Sequence, residues 1–304
     1  MAFSRLLSQA ISFYGDPDDE SSSVEIKSKK ISRIDTKSYK SILNEKELNE
    51  LIKNLNEKSI IAVDTETSSI NPQEAKLIGI SISYATNIAF YIPLGHKNTK
   101  GLKKDLVLDK LKKILEDPSI QKVCQNTKYD FIIFKNYGIE LNPVEDTMLL
   151  SYTLDAGNNR HNMDILSEIH LGHKTISYKD LVGTGKKQLN FSDIDLKSAT
   201  EYAAEDADVT LRLYNILSER IAEEKLHKIY EIFEKPMIKI LSKLETNGIK
   251  VDDNYLKKLS KKFEERLIKI EKEIYKISNK KFNIGSPKQL GEIIYNDLKI
   301  AKLK

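Results

Sequence analysis

The first clear periodicity along the chain starts at Asn44, where Leu48, Leu51, Ile52 and Leu55 recur at the spacing of one helix face. Asn44, with Glu47 three residues on, is a near-match to a capping box and marks the start of that helix. The uninterrupted apolar run Ile60-Ile61-Ala62-Val63 then reads as a buried strand ending at Asp64. Leu77 to Ser83 and Ile88 to Pro93 read as a hairpin turning around Ala85-Thr86-Asn87. The pattern further predicts a helix over 106–115, a strand at Val123, and helices over 126–137, 163–170 and 196–220. Asp146, at the head of Thr147-Met148-Leu149-Leu150, reads as an N-cap rather than a ligand. Strands come first and helices interleave afterwards, which predicts an α/β domain on a mixed sheet.

Near Phe233 the character changes. A helix stops at Asn247-Gly248, a short extended piece runs to Asp252, and a long lysine-rich amphipathic helix is predicted from Asp253 to Ser278. At the other end, Met1 to Ser23 lacks periodicity and closes on Asp16-Pro17-Asp18-Asp19-Glu20-Ser21-Ser22-Ser23, the composition of a linker or disordered stretch. Its first 15 residues hold no acid and a single arginine, Arg5, too little arginine for a transit peptide.

A chain of 304 residues has core enough for one large domain or two smaller ones. No apolar stretch approaches the ~20 residues that span a bilayer, so a soluble chain is expected. The lone cysteine, Cys124, occupies an inward strand position without a redox or metal partner in sequence, which fits a reducing, cytoplasmic compartment. The net charge of +4 conceals abundant lysine against clustered acids and permits a basic surface around an acidic pocket. Nucleic acid is allowed by this balance, not identified by it.

The candidate chemistry lies in three separate segments. Asp64 and Glu66, at i and i+2 on the first strand, project from the same face. Asp130 follows in Gln125-Asn126-Thr127-Lys128-Tyr129-Asp130, and Tyr202 and Asp206 are neighbours one helical turn apart. Asp206 and Asp208 point about 200° apart, so only one of them can face such a site. Carboxylates on a buried strand call for a cation, and an all-carboxylate set suits Mg²⁺ or Mn²⁺ better than zinc. None of the five histidines lies in these segments.

In this order the segments resemble the 3′→5′ exonuclease motifs of the DEDD nuclease superfamily, in the subclass whose third motif is Tyr-x-x-x-Asp. Asp-Thr-Glu-Thr, Gln-Asn-x-Lys-Tyr-Asp and Tyr-Ala-Ala-Glu-Asp-Ala-Asp-Val-Thr are similar to the proofreading domain of bacterial DNA polymerase I, and the likeness runs from about Ile34 to the chain's end. The resemblance implies a ribonuclease H-like mixed β-sheet flanked by helices over 34–225. A linker over 1–33 precedes it, and a truncated first part of the polymerase domain, helices of the thumb, follows over 226–304. It also implies two divalent ions, Mg²⁺ or Mn²⁺, roughly 3.5 to 4 Å apart. Asp64 would bridge both, Glu66 and Asp206 would complete the site of the ion that activates water, and Asp130 would hold the second largely through water. The family register selects Asp206 over Asp208. Glu205 and Asp208 are left as solvated or helix-packing groups, with a supporting place behind the site open to Asp208. Tyr202, a phenol of ordinary pKa ~10 and a poor base at neutral pH, would orient the attacking water.

For substrate, the resemblance implies Ile70 as an apolar wedge on the terminal bases, where leucine is usual. Tyr178, in a lysine-rich loop, would stack on a base, where phenylalanine is usual. Arg160 matches a phosphate-binding arginine. Gln125 and Asn126 are expected to bond the terminal nucleotide, Asn126 because it lies four residues before Asp130 and shares its face. Lys174, Lys179, Lys186 and Lys187 line a loop that could follow the backbone. The expected activity is a metal-dependent 3′→5′ exodeoxyribonuclease acting on single-stranded or frayed DNA 3′ ends, with a polymerase module as partner in full-length relatives and no membrane. Palm, fingers and 5′ nuclease segments are missing from the sequence, so neither DNA synthesis nor 5′ nuclease activity is expected. Two alternatives share these features: an exoribonuclease of the RNase D type, and a catalytically inactive DNA-binding scaffold. The polymerase-like entry at 236–252 and the lack of an appended helical RNA-binding repeat weigh against the first, and the four intact carboxylates against the second.

Overall fold

A computed structural model of the chain describes residues 33–185 and 188–300. Residues 1–32 of the linker expected over 1–33, and the two lysines Lys186 and Lys187, lie outside the described residues. Six strands form one mixed sheet: β1 (Lys40–Ser41), β2 (Ile60–Thr67), β3 (Leu77–Ala85), β4 (Ile88–Pro93), β5 (Gln121–Cys124) and β6 (Val144–Asp146), in the order β1-β4-β3-β2-β5-β6. β2, β3 and β4 are antiparallel neighbours, whereas β5 runs parallel to β2 and β6 parallel to β5. The hairpin turns at Thr86-Asn87, with Asn87 in the left-handed region at φ 64°. β2 does not end at Asp64 as the apolar run suggests. β3 continues to pair with it, Asp64 against Ser81 and Glu66 against Gly79, so both carboxylates lie within the strand.

The predicted first helix, α1 (Glu45–Leu55), is capped by Asn44 Oδ1, which accepts the Glu47 N–H at 3.0 Å. Glu47 does not close the box on Asn44 but accepts the Leu43 N–H at 2.9 Å. With α2 (Lys104–Leu115) and α3 (Thr127–Asn136) it encloses the main core, in which Leu48, Leu51, Leu55, Leu111, Phe131 and Phe134 meet Ile61 and Val63 of β2. Beneath it the buried Lys122 of β5 ties together the loops that lead into β5 and β6, its Nζ donating to the Asp117 carbonyl at 2.7 Å and the Asn142 carbonyl at 2.5 Å. α4 (Thr147–Asp155), α5 (Met163–Leu171) and the short α6 (Tyr178–Val182) lead to α7 (Leu196–Glu223), which packs across β2, β3 and β4. Alternation along β2 therefore sends Ile61, Val63 and Thr65 toward α1–α3, and Asp64 and Glu66 toward α7.

The chain divides into two compact units between Thr246 and Asn247. That point lies beyond residue 225, where the first domain is expected to end, because α8 (Lys235–Asn247) buries Ile238 in the main core. Tyr230, in the π-helical turn before α8, is buried with Leu213 and Leu217 of α7. The second unit holds α9 (Asp253–Ser278), as the periodicity predicts, and α10 (Pro287–Glu292), capped by Ser286. Within it Tyr275 of α9 stacks edge-on against Phe282 at 6.0 Å. Among the described residues, no helix is long and apolar enough to cross a membrane.

Candidate active site

Two elements bring the carboxylates together. Asp64 and Glu66 from β2 and Asp206 from α7 place one carboxylate oxygen each within 4.8 Å of one another. Tyr202, one turn earlier on α7, stands beside Asp206 on the same face of the helix. Asp130 falls outside this tight trio. It reaches β2 from the α3 side, where its Oδ1 accepts the Thr65 hydroxyl at 2.6 Å.

The rotation of α7 that aims Asp206 inward is fixed from its far side. Asp208, fully buried, accepts the Tyr39 hydroxyl at 2.9 Å, the Asn87 N–H at 3.0 Å and Arg212 Nε at 3.1 Å. It is a structural anchor for the hairpin, and not a solvated group. Glu205 is buried too, the packing alternative rather than the solvated one, and accepts His173 Nε2 at 2.9 Å and the Ile176 N–H at 2.6 Å. Those bonds hold the stretch that leads into Tyr178. Three acids within four positions of an alanine-rich helix are a signal that they cannot all be solvated, since the helix is wrapped on most sides.

Like charges in a shielded place are costly, and the four carboxyls register this. Burial pushes Asp64 up to about 6, its hydrogen bond from the Thr65 backbone opposing only part of the rise. Burial raises Glu66 well above the usual range, and Asp64, Asp206 and Asp130 raise it further. Asp130 is raised by burial and by Asp64, and Asp206 by burial, Asp64 and Glu205. These groups are held against their mutual repulsion, and every donor atom is a hard carboxylate oxygen. That donor set fits divalent Mg²⁺ or Mn²⁺. Tyr202 is also shifted far up, by burial and by Asp206, so it stays protonated at any physiological pH.

Around the carboxylates, Ile70 stands 97% exposed on the loop after β2, an unusual placing for a large apolar side chain. Tyr129 of α3 braces that loop, its hydroxyl donating to the Ser69 carbonyl and pairing with the Thr67 hydroxyl. Tyr178 is not in a loop but opens α6, its ring 6.0 Å from that of Tyr202. Gln125 is engaged internally: its Nε2 donates to the His161 carbonyl at 2.8 Å and its Oε1 accepts the Thr147 hydroxyl. Asn126 precedes α3 in left-handed backbone, φ 63°, so the shared helical face with Asp130 does not apply, although its side chain is exposed. Arg160 and Lys174 are exposed on the segments flanking α5, and Lys179 is exposed on α6. Sequence reasoning missed Thr65, Tyr129 and Glu205 as supports. It also missed Gly79, opposite Glu66, where a Cβ would lie 2.1 Å from the Tyr91 hydroxyl.

The family model for 3′-5′ exonuclease matches residues 39–222, and that for DNA polymerase family A matches residues 253–304. The DNA polymerase I of Rhizobium leguminosarum is 43% identical over 265 residues, 80% of this chain and 26% of its own length. The chain spans 26 to 30% of the length of the first curated relatives it matches. Among solved structures, the POL domain of Pol1 from M. smegmatis, in complex with DNA primer-template and dNTP, aligns with a TM-score of 0.67 at 22% identity, covering 87% of this chain and 42% of that one. Brucella melitensis NrnC with bound Mg²⁺ aligns with a TM-score of 0.51 at 21% identity, covering 68% and 90%. Both likenesses are of fold.

Proposed function

Because the chain belongs to the 3′-5′ exonuclease family of bacterial DNA polymerase I, we propose that it removes nucleotides one at a time from single-stranded or frayed DNA 3′ ends by a two-metal-ion reaction. The observation that carries this reading is the trio Asp64, Glu66 and Asp206 within 4.8 Å, with Tyr202 one helical turn before its third member. Asp64, Glu66 and Asp206 would hold one Mg²⁺ or Mn²⁺, and Asp130 with Asp64 the second. When bound, the ions supply charge stabilisation to the attacking and departing oxygens.

The chain's own residues do the rest. The oxygen of a water bonds to phosphorus as the P–O3′ bond breaks, leaving a 3′-hydroxyl on the shortened strand and a nucleoside 5′-monophosphate. Tyr202 keeps its proton throughout, so it orients that water by hydrogen bonding and does not take a proton from it. Ile70, already exposed at no further cost, is assigned as the wedge beside the terminal bases. Tyr178, next to Tyr202, is assigned as the stacking surface. Arg160 and Asn126 are assigned to the phosphate and the last nucleotide. The bonds already made by Gln125 favour a supporting part for it. Residues 226–246 belong with the nuclease in this reading, residues 253–304 with a polymerase module, and the setting is cytoplasmic.

Digestion of a 5′-labelled single-stranded DNA and its RNA counterpart with Mg²⁺ or Mn²⁺ tests the proposal. A one-nucleotide ladder on DNA that vanishes with EDTA is expected. Faster decay of the RNA moves the substrate to ribonucleic acid, and DNA binding without cleavage in either metal contradicts the enzyme reading.

A further inference from the structure

Asp130 sits one turn inside α3, so its position depends on how that helix begins. The beginning of α3 is bolted to the end of β6 by one side chain. Asp146, 1% exposed, accepts the Asn126 N–H at 3.1 Å through Oδ1 and the Thr127 N–H at 2.9 Å through Oδ2. Its Oδ1 also accepts the N–H groups of Met148 at 2.9 Å and Leu149 at 3.4 Å, at the start of α4. One carboxylate thus satisfies free donors at the starts of two helices. The Thr127 hydroxyl adds a bond to the Glu145 carbonyl at 2.8 Å. Asn126 is in the left-handed region, φ 63°, a conformation that its surroundings must hold, and the bond from its N–H to Asp146 does so.

Asp146 is itself locked from behind. Its N–H donates to the Tyr230 hydroxyl at 3.1 Å, and that hydroxyl donates to Glu145 Oε2 at 2.6 Å. Lys235 Nζ closes the set on Glu145 Oε1 at 2.6 Å. Tyr230 and Lys235 lie beyond residue 222, where the match to the exonuclease family ends. Nearer the end of α8, Glu245 adds a second tie to α3 through Lys128, two residues before Asp130.

We propose that Asp146 is a positioning residue for hydrolysis: by fixing the start of α3 it sets the place of Asp130 and hence the affinity for divalent ions. Tyr230, through Glu145 and Asp146, makes the turns before α8 part of the nuclease's own machinery. This rests on the reading of Asp130 as a metal-site carboxylate. An amide at 146 keeps one accepting oxygen and turns the other group into a donor, so at least one of the two helix starts loses its partner. Changing a group that orients a metal ligand weakens metal binding by roughly 10- to 100-fold.

The test is Mn²⁺ binding to the full chain, followed by electron paramagnetic resonance of the free ion, with exonuclease kinetics alongside. Asp146→Asn is expected to weaken Mn²⁺ binding roughly 10- to 100-fold and to lower kcat at limiting Mn²⁺ with partial recovery at high Mn²⁺. Tyr230→Phe is expected to shift binding in the same direction by less. Leu55→Ala, in the core under α1, supplies a variant of lowered stability whose Mn²⁺ binding stays unchanged. If Asp146→Asn and Tyr230→Phe lose melting temperature yet bind Mn²⁺ like the unaltered chain, Asp146 is only a helix cap and the inference is overturned. Should Asp146→Asn not fold, Tyr230→Phe decides alone, and unchanged binding overturns it. An unaltered chain that binds no Mn²⁺ sinks both this inference and the metal-site reading, whereas binding indifferent to the variants sinks only this one.

Discussion

Asp64→Asn is expected to lower the rate of nucleotide release by roughly 10²- to 10³-fold, the scale seen when one preorganised electrostatic group is removed from an active site, and to raise the stability of the metal-free chain. The two effects share a cause. Asp64 belongs to the trio and repels Glu66, Asp130 and Asp206, each of which it pushes upward in pKa. An amide of the same shape removes that repulsion along with the charge that would hold the ions. The gain expected is about 1–2 kcal/mol, or a few degrees in melting temperature in EDTA. Assay of 5′-labelled DNA together with thermal melts in EDTA checks both arms. Retained cleavage would remove Asp64 from the chemistry, and a lowered melting temperature would show that the carboxylate is there for stability.

The second large effect is the interplay of metal and pH. Asp64 in the folded chain titrates near 6, above the ordinary carboxylate value of 3.8, and its three partners are raised in the same direction. Between those values the folded state holds more protons than the unfolded one. The metal-free chain therefore gains stability as pH falls from about 7 toward 4, as far as these groups decide it, and loses it as pH rises through 6. Divalent ions compete with the same protons. Mn²⁺ or Mg²⁺ at a hundred times its dissociation constant stabilises by about 2.7 kcal/mol at pH 8, and this difference should shrink toward zero near pH 5. Melting curves with and without metal across that range are the measurement. A metal-induced rise that is the same at pH 5 and pH 8 would mean that the ions bind elsewhere.

How much of this was readable beforehand depends on what kind of interaction places each residue. One-face spacing predicted α1, and alternating and continuous apolar runs predicted β3 and β4, because these elements bury a simple face on one core. The carboxylates were legible because acids on a buried strand and within a buried helix contradict their surroundings. Where each acid points was harder to read. Sequence leaves Glu205 and Asp208 between solvated and helix-packing groups; both are buried, because His173, the Ile176 backbone, Tyr39 and the Asn87 backbone reach them from segments distant in the chain. The same holds for Asn126, whose left-handed backbone depends on Asp146, and for Gln125, whose amide is spent on His161. The extension of β2 past Asp64 follows from pairing with β3 and has no apolar signal of its own. Local pattern thus reaches elements and their charged outliers; long-range hydrogen bonds decide which outliers face the site.

The most direct measurement is anomalous diffraction from crystals soaked in Mn²⁺. Two peaks are predicted, one bounded by Asp64, Glu66 and Asp206 and the other between Asp64 and Asp130. No peak at these four carboxylates, with Mn²⁺ present in the crystal at other residues, would contradict the account.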